Sequence, residues 1–314
     1  MLNQEEGLYK VRKTSQRLRR HEELDVYYNG DRTASVSRQY LQRIGKPLRL
    51  DPPVTFNEKL QWMKLNWQDP LAGICANKYT MRDYVVKKGF GHLLHPLLAV
   101  WQSAEEIDFS ALPDSFIIKA AHTSGMNLIV QDKHTLNIAD VRNAFRGVMD
   151  MKYYAVKHEW VYEPAPACLI CESLFQNTGA RPLDYKFFCF NGKVRAIQVL
   201  TVTDAKGLTD DTTAFFCDRE LHAMHLKYGY DPIYTDPEMV ECFYEMRDAA
   251  ELLSADFPFV RVDFCVEGGK PWLGEFTFFP ASGYDRFEPE EYDSLLGSWL
   301  ILQELETYKD EGST

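Results

Sequence analysis

Phe259-Val260-Arg261-Val262-Asp263-Phe264, with Gly274-Glu275-Phe276-Thr277 a short way on, is the stretch from which the fold is read. Both runs have the composition of strands, and Gly268-Gly269 between them is a turn dipeptide, so they fold back on one another as a hairpin. A period of two puts Arg261 and Asp263 on one face, and Leu273, Glu275 and Thr277 on one face of the return strand. Asp263 meets Glu275 only if the loop holds an odd number of residues. A Gly268-Gly269-Lys270 loop with a glycine bulge does this and is the expected turn; a two-residue turn would put the acids on opposite faces. Carboxylates set among Phe, Val, Leu and Trp need a cationic partner, because burying them unpaired is costly. Mg²⁺ beside phosphate oxygens is such a partner, which points to phosphoryl chemistry. The competing reading is two surface carboxylates on an edge hairpin.

Other charged residues sit in similar surroundings. Ser115-Phe116-Ile117-Ile118-Lys119-Ala120-Ala121 is rich in β-formers and runs into His122-Thr123-Ser124-Gly125, after which Asn127-Leu128-Ile129-Val130 returns as a partner strand. Lys119 either snorkels to solvent or points at an anion. The small-residue turn suits a phosphate cover, although it carries no GxGxxG or P-loop pattern. His122 is either a turn hydrogen-bonder or a base. Tyr185 to Phe190 and Lys193 to Val199 are joined by Asn191-Gly192, a strong hairpin signal. Lys186 shares a face with Asp184, Phe188 and Phe190, and its charge serves either a phosphate or a local pair with Asp184. Cys168 and Cys171 form a C-x-x-C in a strand rather than at a helix N-terminus, which argues against redox use. His222 and His225 lack companion zinc ligands, and no nucleophile elbow or triad pattern is present.

Around these motifs the chain reads as helices and strand pairs. Residues 1 to about 52 are polar and basic and read as one or two helices. Thr55, with Glu58 three residues on, forms a capping box that starts a helix carrying Leu60 and Met63. Residues 74–88 read as another helix, with Tyr79, Tyr84 and Val85 near one face, closed by Gly89 and Gly91. Residues 138–151 are a helix, 168–171 a short strand, and 210–236 a polar loop without period. Asp236-Pro237-Glu238 starts a helix whose buried stripe is Met239, Cys242, Phe243, Met246, Ala249, Ala250 and Leu253. A final helix at about 291–306 packs Leu295, Leu296, Trp299, Leu300 and Leu302, and residues 307–314 form a tail. Strand pairs interspersed with helices give α+β lobes rather than one parallel sheet.

At 314 residues the chain suits two or three lobes, and 45% hydrophobic against 26% charged residues is the balance of a folded protein. A net charge of −11 argues against nucleic-acid binding. Lys10, Arg12, Lys13, Arg17, Arg19 and Arg20 break that trend, as a solvated helix face or as a contact with an anionic membrane surface or polymer. No apolar run reaches the roughly 18 residues of a membrane span. Met1-Leu2-Asn3-Gln4-Glu5-Glu6 has no apolar core of a secretory signal, so a cytoplasmic location is expected. The seven cysteines, odd in number and mostly inside apolar runs, read as reduced and buried.

In this order the motifs resemble the TupA-like ATP-grasp family of the ATP-grasp superfamily, from about Thr55 to Leu296. The segments that carry the resemblance are Thr55-Phe56-Asn57-Glu58-Lys59-Leu60-Gln61-Trp62, Asn77-Lys78-Tyr79, Phe116-Ile117-Ile118-Lys119, Asp184 to Lys193, Phe257 to Phe264 and Gly274 to Gly283. The resemblance implies two α+β lobes clamping ATP, preceded by a helical N-terminal segment. Its boundaries are a basic segment 1–54, a helical part 55–110, a small lobe 111–175, a large catalytic lobe 176–306 and a tail 307–314. It gives Lys78 and Lys119 to the nucleotide, Thr123, Ser124 and Gly125 to a loop over the phosphates, and Cys171, Glu172 and Leu174 to the hinge that meets adenine. Lys186 and Arg261 fall to the transferred phosphate, and Asp263, Glu275 and Thr277 to the metal. Two departures are Asn77, where the family usually has Asp, and Cys171, where the hinge usually has an acid.

The resemblance further implies ATP with Mg²⁺ (or Mn²⁺) and a small-molecule carboxylate made reactive as an acyl phosphate, then captured by an amine as an amide. It suggests cell-surface polysaccharide or peptide-polymer biosynthesis, with peripheral association through the basic N-terminus and no nucleic-acid partner. Gly125 is the expected mobile point of a lid, and the loop with Tyr228, Tyr230 and Tyr234 either borders the acceptor or is simply packed. The rivals are a small-molecule kinase on the same scaffold, a glycosyltransferase with Mn²⁺ on the same acids, and a nucleotide-binding partner without catalysis.

Overall fold

The computed structural model describes residues 7–9, 11–13, 15–16, 31–164, 166–174, 183–202 and 212–302. In chain order the first elements are α1 (Arg32–Ile44), α2 (Phe56–Asn66), α3 (Pro70–Ala76) and α4 (Met81–Lys87). Then come β1 (Leu97–Trp101), β2 (Phe116–Ala120), β3 (Asn127–Val130), α5 (Ile138–Met149), α6 (Tyr153–Lys157) and β4 (Leu169–Ser173). The remainder is β5 (Leu183–Phe190), β6 (Lys193–Val202), β7 (Thr212–Cys217), β8 (Lys227–Tyr228), β9 (Asp231–Ile233), α7 (Phe243–Ser254), β10 (Phe259–Glu267), β11 (Lys270–Thr277), β12 (Phe287–Glu288) and α8 (Glu291–Trp299). These fall into two units, one of residues 1–30 and 73–180, the other of residues 31–72 and 181–314.

The first unit is a four-stranded antiparallel sheet in the order β1-β4-β2-β3. One face is its core, where Phe116, Ile118, Leu128 and Val130 meet Val141, Phe145 and Val148 of α5. The Ser124-Gly125 tip joins β2 to β3 as expected, with Gly125 at φ 75°. The expected helix 74–88 is instead two short helices. Asn77 Oδ1 accepts from the Tyr79 and Thr80 amides at 2.8 and 3.3 Å, a side-chain turn that interrupts the helix. Asp would offer the same acceptor, so the departure at Asn77 keeps the turn. Of the basic N-terminal cluster, Arg12 pairs with Asp140 at 2.7 Å, and Lys10, Arg17, Arg19 and Arg20 lie outside the described residues.

The second unit is a six-stranded sheet in the order β11-β10-β5-β6-β7-β9, antiparallel except for β7 against β9. α7 packs on β5, β6 and β10, where Tyr185, Phe187 and Phe264 gather round Phe243 and Met246 in the buried core. On the opposite face Phe56 of α2 meets Phe188, Phe190 and Phe259, the last at 4.9 Å between centroids. The Thr55–Glu58 capping box is present. The polar residues after it tie α2 down: Asn57 to both oxygens of Asp293, and Lys59 to the Gly297 and Leu300 carbonyls. Gly297 is required there, because a Cβ would stand 2.3 Å from the Val54 carbonyl.

Three sequence expectations are corrected in this unit. Residues 210–236 are not merely loop, since Thr212–Cys217 forms β7 beside β6. Asp236 does not cap a helix; it accepts from the Ala223 amide at 2.6 Å, α7 begins only at Phe243, and Met239 is exposed. The last helix ends at Trp299, where Leu300 turns extended with its amide on the Gly297 carbonyl. Leu295 lies on its outer side, and the expected stretch beyond residue 302 lies outside the described residues.

Candidate functional site

Adjacent strands of the second unit bring five of the expected residues into one patch. Glu275 on β11 lies opposite Asp263 on β10, Asp263 opposite Lys186 on β5, and Lys186 opposite Gln198 on β6. One register step along, Thr277 lies opposite Arg261 and Arg261 opposite Phe188. Asp263 and Glu275 do meet, but not through the expected three-residue loop. The turn is the two-residue Gly268-Gly269, both at positive φ, with Glu267 paired to Lys270. Parity is restored by a bulge: the register shifts between Asp263 and Phe264, leaving Gly274 as the extra residue. The Asn191-Gly192 hairpin does the same, its register shifting between Phe188 and Cys189, so that Lys186 faces Gln198 rather than Ile197.

Arg261 is buried and grips Asp263 with two nitrogens, Nε to Oδ1 at 2.7 Å and Nη2 to Oδ2 at 2.6 Å. Nη2 also donates to Thr277 Oγ1 at 3.3 Å, and that hydroxyl to Glu275 Oε1 at 3.4 Å. Burial is the largest influence on both partners. It raises the Asp263 carboxyl above its ordinary value despite Arg261 and Lys186, whereas Arg261 is held charged because Asp263, then Glu275, outweigh its burial. Lys186 Nζ stands over the Tyr230 ring at 5.5 Å. Tyr228 is buried and stacked on Phe287 at 4.4 Å, its carbonyl accepting from Gln198. Of the three tyrosines of that loop, Tyr230 is therefore the one at the charged row, and Tyr228 is packing.

In the first unit, Lys119 and Glu172 share a face, since Ile117 is opposite Glu172 and Lys119 opposite Ile170. Glu172 is buried between Lys119 Nζ at 2.7 Å and Arg82 Nη1 at 3.0 Å. Lys78 is buried and donates to the Thr123 carbonyl at 2.8 Å, so it supports the turn before Gly125. Nothing lies within 4 Å of a Cβ built on Gly125, and Ser124 beside it is half-buried. Cys171 faces the other way. Its thiol lies in the core, burial lifts it to about 12, and its backbone sits between β1 and β2. Leu174, just past β4 and half-buried, is the hinge residue outside the ladder. His122 meets the Val148 carbonyl at 3.3 Å, and burial lowers its pKa, so it anchors a turn as a neutral ring.

Two carboxylates and a hydroxyl fit Mg²⁺, which binds through one or two carboxylates and completes its shell with water and phosphate. Among the described residues no group of three or more His, Cys, Asp or Glu could hold a metal ion. The sequence reading missed Gln198, Arg82 and Lys64. Gln198 was hidden by the bulge. Arg82 is one polar residue on a short helix, unremarked until Glu172 is seen against it. Lys64 is almost fully buried and donates to the Ser282 carbonyl at 2.6 Å, a clamp on the loop after β11. A basic residue at a position where an apolar one was due was its signal.

A family model described as TupA-like ATPgrasp matches residues 58–301. No curated protein matches the chain. Among solved structures it is similar to D-alanine–D-alanine ligase from Bacillus anthracis complexed with ATP, at 17% identity and a TM-score of 0.47, covering 76% of this chain and 69% of that one. It is also similar to D-alanine–D-alanine ligase from Helicobacter pylori, at 14% identity, TM-score 0.41 and 73% and 62% coverage. A third is phosphoribosylamine–glycine ligase from Thermotoga maritima, at 10% identity, TM-score 0.41 and 66% and 48% coverage.

Proposed function

The chain belongs to the TupA-like ATP-grasp family, and from that premise we propose that it is an ATP-dependent carboxylate–amine ligase. The observation that carries the reading is the row Glu275–Asp263–Lys186 with Arg261 beside it, two acids and two cations on neighbouring strands. Asp263 and Glu275 would hold Mg²⁺, with the Thr277 hydroxyl next to them; when bound, the metal would offset charge on the phosphoryl oxygens. Lys186 and Arg261 set positive charge where the γ-phosphoryl group is transferred. Lys78, Lys119 and the Thr123-Ser124-Gly125 turn serve the phosphates, and Glu172 and the backbone at Leu174 serve adenine. Cys171 contributes no side chain to that contact, because its thiol is in the core.

In this reaction a substrate carboxylate oxygen attacks the γ-phosphorus, the bond to ADP breaks, and an acyl phosphate forms. An amine then attacks the acyl carbon, losing a proton as phosphate leaves. No enzymic nucleophile is needed. The substrates are a small-molecule carboxylate and amine of cell-surface polysaccharide or peptide-polymer assembly, handled in the cytoplasm, with the basic N-terminus as a docking segment for membrane or assembly machinery. Among the described residues no helix is long and apolar enough to cross a membrane.

The test is ADP release with Mg²⁺ across amino and uronic acids, run with and without hydroxylamine. Carboxylate-dependent ADP and free phosphate, a trapped hydroxamate, and loss of all three in Asp263→Asn support the ligase. A phosphorylated product without free phosphate would identify a kinase instead. Failure of every acid to raise ADP production, with Asp263→Asn unchanged, would sink the reading.

A further inference from the structure

We propose that Arg261 is a latch on the metal site: its guanidinium occupies Asp263, so that a divalent cation binds the Asp263/Glu275 pair only once an anion has drawn the guanidinium away. The inference rests on the reading of those two acids as the metal pair and concerns how that site is controlled.

The geometry is that of a filled site. Both oxygens of Asp263 are taken by separate nitrogens of one fork, at 2.7 and 2.6 Å. That is the bidentate arrangement in which arginine holds a carboxylate most firmly. The same nitrogen that grips Oδ2 reaches Thr277 Oγ1, and that hydroxyl reaches Glu275. One side chain thus engages Asp263 directly and Glu275 through a relay, covering all three expected ligands. The pair is shielded as well: the side chains are 10% and 13% exposed, and the guanidinium lies over the Phe188 ring at 5.9 Å. Neither water nor salt screens such a pair as it would one on the surface.

Charge counting gives the order of events. Asp263 and Glu275 balance Arg261 and Lys186, and Asp184 beside them adds at most one further negative charge. A bare dication would leave at least one positive charge in excess and displace a buried guanidinium with nothing to receive it. A polyphosphate removes both objections: its oxygens receive Arg261 and Lys186 and join the two carboxylates as ligands of the metal. Metal and nucleotide are therefore coupled, each raising the affinity for the other. The latch would keep the acids from drawing free divalent cations between turnovers.

The experiment uses the full-length chain and Mn²⁺ as the probe, bound metal being read from the loss of the free-ion electron paramagnetic resonance signal. Wild type should bind Mn²⁺ weakly alone and much more tightly with ADP. Arg261→Met should bind Mn²⁺ without nucleotide at least about tenfold more tightly than wild type, the low end of what close charge pairs are worth. Adding Asp263→Asn to it should abolish that gain. Arg261→Lys keeps the buried charge but cannot fork, so an intermediate gain is expected if the methionine variant does not fold. Wild type binding Mn²⁺ equally well with and without ADP, or neither Arg261 variant gaining affinity, would overturn the latch while leaving the metal reading intact. No Mn²⁺ binding to wild type even with ADP would instead sink the metal reading, and the latch with it.

Discussion

Replacing Lys64 with methionine tests whether the loop after β11 is held by a buried ammonium group. Lys64 is 1% exposed, and Nζ donates to the Ser282 carbonyl at 2.6 Å, Ser282 Oγ at 3.0 Å and Gln61 Oε1 at 3.0 Å, with the Tyr284 ring at 4.4 Å. The loop needs holding, since Ala281, Ser282 and Gly283 run consecutively at positive φ. For the two non-glycine residues that conformation costs about 2–4 kcal/mol together. Methionine matches the length and removes the charge, relieving its desolvation. It leaves Gln61 Oε1 short of a donor at about 1–3 kcal/mol, and takes one bond of about 1 kcal/mol from Ser282 Oγ. The Ser282 carbonyl is only partly orphaned, because Gln61 Nε2 also reaches it at 3.0 Å. The expected net loss is roughly 3 kcal/mol, or a fall of about 6–12 °C in the melting transition of a unit this size. Thermal unfolding by circular dichroism measures it, and hydrogen exchange at the Tyr284 amide, bonded to the Ala281 carbonyl, should accelerate. A Lys64→Met protein melting within about 1 °C of wild type, with that amide still protected, would refute the clamp. A rise in melting temperature would show that burial of the ammonium outweighs its bonds.

Three further outcomes are expected. Gly297→Ala, favourable by about 1 kcal/mol in an ordinary helix interior, should here destabilise by roughly 1–3 kcal/mol in urea unfolding, because the new Cβ meets backbone at 2.3 and 2.8 Å; unchanged stability would contradict the α2–α8 contact. Burial, then Lys119, lowers His95 to about 4, so the unfolded chain takes up a proton that the folded one refuses. Stability is full above about pH 6.5 and falls towards pH 4 by no more than roughly 3 kcal/mol, and melting against pH should be flatter in His95→Gln over that window. Burial lifts the Cys168 thiol to about 11 and those of Cys189 and Cys217 to about 12. Iodoacetamide at pH 8 should leave these three unmodified in the native protein and label them in denaturant, as mass spectrometry of the peptides would show.

The features legible in the sequence are those decided by neighbours along the chain. Thr55 and Glu58 specify a helix start, and Asn191-Gly192 a tight turn, wherever they stand. The pairing of Asp263 with Glu275 was also expected, yet the route to it was wrong, because parity in a hairpin depends on bulges as well as on the turn. Gly274 is a visible candidate for a bulge, but Arg195 in the companion hairpin is not, and its exposure is what lets β6 spare it. Asp236-Pro237-Glu238 has every local sign of a helix start, and the Ala223 amide outbids it. Asn77 breaks a helix by the same side-chain chemistry that a cap uses, a choice that periodicity alone does not reveal. Thr212–Cys217 became a strand because β6 offered it an edge, and no local pattern announces an edge.

Both units keep their expected nucleotide-facing cations engaged within themselves: Lys119 on Glu172, Lys78 on the Thr123 carbonyl, Arg261 on Asp263 and Lys186 over Tyr230. In that state the residues read as catalytic are also residues that make burial of charge tolerable, so each has a structural reason to exist without any ligand. Binding a polyanion then exchanges partners rather than satisfying vacant cations. It returns less free energy per contact, but it penalises ligands too weakly charged to replace a carboxylate. A single phosphate offers Arg261 about what Asp263 already gives it. A nucleotide polyphosphate carrying a metal offers the arginine a new partner and Asp263 a replacement in the same event, and that concerted exchange is the physical basis on which this site would prefer ATP to its fragments.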